Sequence, residues 1–131
     1  MENMVVWVDI PVTDLDRAMK FYSAVLQHPF TTVEGMDGIG LPAPETGPQD
    51  GQQQFPVAFD LMVVTDRKPS AEGCTVYLNS YDDPEGMLQR AVAAGGRIDM
   101  PATDMGQMVG TIGAFIDSEG NRIGVRKPPQ M

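Results

Sequence analysis

Residues 8–26 read VDIPVTDLDRAMKFYSAVL, and the hydrophobic period changes once within them, at Thr13-Asp14. Before that point Val8, Ile10 and Val12 alternate with Asp9 and Pro11, the period-two pattern of a strand with one apolar face. The β-branched run starts earlier, at Met4-Val5-Val6-Trp7. After the change Leu15, Ala18, Met19, Tyr22, Val25 and Leu26 fall at helical spacing and form one stripe. Asp14 is placed to cap that helix.

The same order recurs further along. Thr75-Val76-Tyr77-Leu78-Asn79 alternates, Asp83 is a second cap, and Pro84 takes the first helical position. Met87, Leu88, Ala91 and Val92 supply the stripe, and Gly95-Gly96 stops the helix. Val8 to Val76 is 68 positions and Asp14 to Asp83 is 69, about half the chain. Strand-like segments follow each helix: 30–34, 35–41 and 55–64 in the first half, 97–100, 109–116 and 121–126 in the second. Asp117-Ser118-Glu119-Gly120-Asn121 predicts a hairpin turn, with Gly120 where positive φ is needed. The expected fold is α+β, two βαβββ modules in a single domain over 1–131. Module one covers about 4–64, a linker 65–73, and module two about 74–127. Residues 42–54, rich in Pro, Gly and Gln, predict a flap over one end of a sheet. The end of the chain, 127–131, predicts a frayed tail.

Composition narrows function before any site is read. The chain has 131 residues, 42% of them hydrophobic and 21% charged, which suits one packed domain. Nine basic against 18 acidic residues give a charge of −9, a field that repels phosphate backbones and anionic membranes, so neither is an expected partner. The single Cys74 excludes an internal disulfide and any multi-cysteine metal cluster, and fits a reducing cytoplasm. The N-terminus carries Glu2 and no basic run, so a signal peptide is not expected, and no apolar run is long enough for a membrane span. One histidine, His28, rules out multi-histidine zinc or iron sites.

Several segments together resemble the vicinal-oxygen-chelate superfamily, the glyoxalase, bleomycin-resistance and extradiol-dioxygenase group. They are the stretch Val8 to Leu26, the strand Val76-Tyr77-Leu78-Asn79, Ala93-Ala94-Gly95-Gly96, and Ile112 through the Asp117–Asn121 turn to Gly124. The resemblance spans about residues 4–126. It implies a half-open, barrel-like mixed sheet with the helices outside and a ligand in the concave face. It also implies pairing of two chains, hence a homodimer. Catalytic members hold a divalent metal with His, Glu or Gln, one ligand per front-facing strand position. Carried over position by position, those ligands become Trp7, Asp60, Thr75 and Gly124. Trp and Gly cannot ligate through their side chains, and a Thr hydroxyl is a poor ligand, so no metal and no cofactor is expected.

Strand parity supports the implied geometry. Trp7, Asp9 and Pro11 point away from Val8, Ile10 and Val12. Ala58, Asp60 and Met62 oppose Phe59, Leu61 and Val63. Thr75, Tyr77 and Asn79 oppose Val76 and Leu78, while Arg122, Gly124 and Arg126 oppose Ile123 and Val125. The candidate ligand-binding residues are therefore Trp7, Asp9, Asp60, Met62, Thr75, Tyr77, Arg122 and Gly124. Trp7 reads equally as a stacking platform or as barrel filler. Met36, Met62, Met100, Met105 and Met108 read as pocket lining or as core. Arg122 and Arg126 read as a carboxylate site or as solvated groups. His28 reads as a solvent-facing helix-end residue rather than a general base, and Cys74 as a packed thiol. Asp82-Asp83 and Asp117/Glu119 read as cap and turn chemistry. The expected function is a metal-free, small-molecule-binding protein. The alternatives are a lyase or isomerase acting on a small oxygenated compound, and a regulatory module with a vestigial cleft.

Overall fold

The change of period at Asp14 is where β1 (Val8–Val12) hands over to α1 (Leu15–Leu26). Asp14 is extended, and its carboxylate accepts from the Arg17 N–H at 3.0 Å. The chain continues through β2 (Phe30–Val33), β3 (Met36–Pro42) and β4 (Phe59–Val63). The second module repeats the order: β5 (Val76–Asn79), α2 (Pro84–Ala93), β6 (Arg97–Asp104), β7 (Thr111–Ile116) and β8 (Arg122–Lys127). Asp83 caps α2 through the Gly86 N–H. The structure, a computed structural model, describes residues 5, 7–44 and 59–129. The expected flap over 42–54 lies outside them beyond residue 44, as do residues 55–58 of the expected fourth strand and residues 130 and 131 of the tail.

Each module folds into its own four-stranded mixed sheet, ordered β1-β4-β3-β2 and β5-β8-β7-β6. The first strand of each module pairs in parallel with the last, and the remaining pairs are antiparallel. Both sheets are open; neither closes into a barrel. The helices cover the apolar sides, and α1 packing against α2 is the principal contact between modules. Ile10, Val12, Phe21, Tyr22, Val25, Leu61, Leu88, Phe115 and Val125 form the shared core. Phe21 and Tyr22 meet edge to face, and both rings reach Phe115 of the other module. No helix among the described residues is long and apolar enough to cross a membrane.

Seven expectations are corrected. Val92 is 44% exposed, at the margin of the α2 stripe, and Leu26 is only half-buried while Phe21 joins the core. Val63, expected on the packed side of β4, is 40% exposed at the strand's end. Strand β6 runs through Pro101 to Asp104 instead of stopping at Met100, while β7 starts at Thr111 instead of Val109. Lys127 ends β8 and does not belong to the tail. Cys74 is exposed, in the loop after Gly73, and not packed.

The turn between β7 and β8 does more than reverse the chain. Gly120 has φ +99°, as its place requires. Asp117 is buried, and its carboxylate accepts from Glu119 N–H at 2.9 Å and Asn121 N–H at 2.8 Å. It also accepts from the Tyr22 hydroxyl of α1 at 2.6 Å. Asn121 donates to the Pro11 carbonyl of β1 at 2.8 Å. The Glu119 carboxylate accepts from the N–H groups of Thr13 and Asp14 and pairs with Arg17 at 2.6 Å. One five-residue turn thus fastens module two to the start of α1.

Candidate functional site

The eight sequence-predicted residues fall into two clusters, one on the front of each sheet. On the first sheet, register sets Asp9 directly opposite Asp60 and Pro11 opposite Met62. Ile39 of β3 stands opposite Met62 on the other side. Trp7, just before β1, donates its indole N–H to Asp60 Oδ2 at 3.3 Å, and the residue is 48% exposed. Asp60 itself is buried, and its Oδ1 has no hydrogen-bond partner among the described residues. Arg67 approaches the Asp9 carboxylate at 3.6 Å and is shared with Asp66. Burial pushes the Asp60 carboxyl up to about 6, and the adjoining Asp9 carboxyl adds to the rise, while Trp7 and Arg67 oppose it.

On the second sheet, Arg122 donates to Thr75 Oγ1 at 2.9 Å and pairs with Asp99 of β6 at 2.7 Å. Tyr77 is 44% exposed, and its ring covers Gly124, its neighbour in the β5–β8 ladder. A Cβ at position 124 would meet the Tyr77 ring, so glycine there is a packing requirement. Arg126 is tied to the Val109 carbonyl at 2.8 Å and Arg122 to Asp99, so neither is simply solvated.

At the four positions that the resemblance carries over as metal ligands, the donor set does not fit a divalent ion. The Trp7 N–H is a donor already turned on Asp60, Gly124 has no side chain, and Thr75 carries the Arg122 guanidinium. A fixed cation beside a proposed cation site raises its cost directly. Among the described residues no group of three or more His, Cys, Asp or Glu could hold a metal.

One residue departs from its sequence reading. His28 is half-buried, with Nε2 2.7 Å from the Ala43 carbonyl, and is not a solvent-facing end residue. Met105 and Met108, like Met36, are exposed and so are not core residues. A cavity of about 710 Å³ lies where the end of α1 meets the end of β5. Its floor is Leu26, Phe59, Leu78 and Met87, with Tyr77 on its wall. Sequence reading missed it because it needs both modules packed. The one signal was polar Ser80 following an apolar strand, now a buried hydroxyl without a partner among the described residues.

With this geometry in view, the chain can be set beside known proteins. The Glyoxalase/Bleomycin resistance protein/Dioxygenase superfamily model matches residues 4–125. The chain belongs to that superfamily. No match was found among curated proteins. Among solved structures, a glyoxalase/bleomycin resistance protein from Albidiferax ferrireducens is 17% identical with a TM-score of 0.70, over 97% of this chain and 100% of that one. TnmS3, an antibiotic binding protein from Streptomyces sp. CB03234, is 18% identical with a TM-score of 0.61, over 97% of each chain. FosX, the genomically encoded fosfomycin resistance protein of Listeria monocytogenes, solved as a mutant with Mn(II), is 12% identical. Its TM-score is 0.65, over 98% of this chain and 94% of that one. At these identities the solved structures show a shared fold; one of them was solved with Mn(II), and another is described as an antibiotic binding protein.

Proposed function

We propose that this superfamily member binds a small molecule on the front faces of its sheets and works without a metal. The observation that carries the reading is Trp7: a large aromatic ring, half-exposed, held in one orientation by its N–H on Asp60. An indole combines a large apolar face with a polar handle, and a rigid ring costs little entropy on binding. The candidate residues are Trp7, Asp9, Asp60 and Met62 on the first sheet, with Thr75, Tyr77, Arg122 and Gly124 on the second. The structural likeness to an antibiotic binding protein supports binding as the activity, and the unsuitable donor set supports the absence of metal.

Elemental analysis of protein purified without chelators tests this. Far less than one zinc, nickel, iron or manganese per chain is expected, with no fall in melting temperature on adding EDTA. Stoichiometric metal lost in Asp60→Ala overturns the reading in favour of a metalloenzyme.

The same reading includes a cytoplasmic homodimer with no nucleic-acid partner. An exposed, unpaired Cys74 suits a reducing compartment, and the charge of −9 opposes phosphate backbones. Open sheet edges favour pairing between copies. Light scattering should give about twice the 14.2 kDa chain mass; a particle of the single-chain mass at micromolar concentration contradicts the dimer.

A further inference from the structure

We propose that the front of the first sheet selects ligands carrying a protonated amine on a planar or apolar body, with the ammonium on the Asp9–Asp60 pair and the body against Trp7. This rests on the ligand-binding reading above and narrows it to a chemical class. Four observations converge on it.

The first is register. Asp9 and Asp60 are direct cross-strand neighbours in the β1–β4 ladder, and like charges so placed disfavour the sheet. The second is the unmet acceptor. Asp60 is only 4% exposed, one oxygen takes the Trp7 N–H, and the other has no donor among the described residues. A buried acceptor left unpaired is costly, so the pair is short of a hydrogen-bond donor. An ammonium supplies donors and charge together.

The third observation is that the protein's own cation fits poorly. Arg67 stands 3.6 Å from Asp9, is shared with Asp66, and keeps a side chain 56% exposed. The fourth is the surrounding surface. Pro11, Met62 and Ile39 are half-buried and apolar, and the Trp7 ring offers a face to a cation or a planar body. These neighbours give a divalent ion no further ligands, whereas an amphiphilic amine uses every one of them. The chain's charge of −9 draws cations toward the face.

The test is calorimetric titration with three compounds sharing one ring system: 2-(1-naphthyl)ethylamine, 2-(1-naphthyl)ethanol and 1-naphthylacetate. At pH 7.5 the amine should bind about ten-fold or more tightly than the alcohol, and the carboxylate weakest. Asp9→Asn should remove most of the amine's advantage over the alcohol. Glu85→Gln, with the same change in net charge on α2, should leave that advantage intact. Arg67→Ala, on an exposed side chain, should tighten the amine by removing its competitor. The charged groups facing Asp60 are Asp9 from β1 and Arg67 from the linker, while β3 presents apolar Ile39. Asp60 gains its proton as the pH falls through about 6, so the amine's advantage should shrink between pH 7 and pH 5.

Equal binding of amine and alcohol at pH 7.5, or equal effects of Asp9→Asn and Glu85→Gln, overturns the amine specificity and leaves the binding reading standing. If none of the three binds, the amine specificity falls. If no planar compound perturbs Trp7 either, the binding reading falls with it.

Discussion

Asp117→Ala should destabilise the protein by about 3–5 kcal/mol, the largest effect expected of any single polar substitution in the chain. The carboxylate is buried and accepts from four groups: the Tyr22 hydroxyl, the N–H groups of Glu119 and Asn121, and the Asn121 side-chain amide. Removing it leaves those donors inside the protein with nothing to accept from them. A domain of this size is held by only about 5–15 kcal/mol, so the loss is a large share of the total. Tyr22→Phe removes one donor together with its need for an acceptor, and should cost about 1 kcal/mol. Urea unfolding of the two variants checks the ranking. Equal losses would mean that the turn's backbone, and not its carboxylate, joins the modules.

The second large effect concerns Glu119 and depends on pH. Burial alone would raise its pKa, but hydrogen bonds from Arg17, Asp14 and Thr13 outweigh that and lower it from 4.5 to about 2. A carboxylate depressed in the folded state contributes stability above its unfolded value, and loses it as the pH falls from about 4.5 towards 2. A tenfold difference in acidity between the folded and unfolded chains is worth about 1.4 kcal/mol. Solvent around the half-exposed Arg17 screens the pair, so about 1–2 kcal/mol is expected at pH 7. The stability gap between the wild type and Glu119→Gln should therefore be fully open at pH 7 and narrow steadily below pH 4.5. A gap that stays constant down to pH 3 would show that the glutamate acts by shape and not by charge.

The order of elements was legible because each module changes its hydrophobic period at a capping aspartate, Asp14 and Asp83, and because Gly120 marks the last hairpin. Parity correctly set Trp7, Asp9, Asp60 and Met62 on one side of the first sheet. Their adjacency was not legible, because it depends on β1 pairing with β4 in a register that brings together residues 51 positions apart. Pro101 hid the second half of β6, since proline interrupts a central strand. Here β6 is an edge strand, and its ladder to β7 shifts register between Ile98 and Met100 and again between Met100 and Thr103. An edge with such irregularities tolerates a missing N–H. Asp117 and Glu119 were read as turn residues, and they are. Their reach to Tyr22, Thr13 and Arg17 on the other module is a long-range contact that no local pattern encodes. Cys74 was misplaced for a simpler reason: it borders an alternating strand but follows Gly73, whose φ of +97° turns the chain into the exposed loop.

The proposed uptake of a small molecule at the Trp7 face, without help from a metal, can be followed directly. Trp7 is the chain's one tryptophan, so its emission reports on that face alone. The decisive measurement is a titration of Trp7 fluorescence with a panel of planar compounds in buffer containing EDTA. A saturable change in emission is expected for at least one compound, lost in Met62→Arg, which crowds and charges the same face. Metal-free uptake is contradicted if no compound perturbs Trp7, or if a response appears only after a divalent ion is added back.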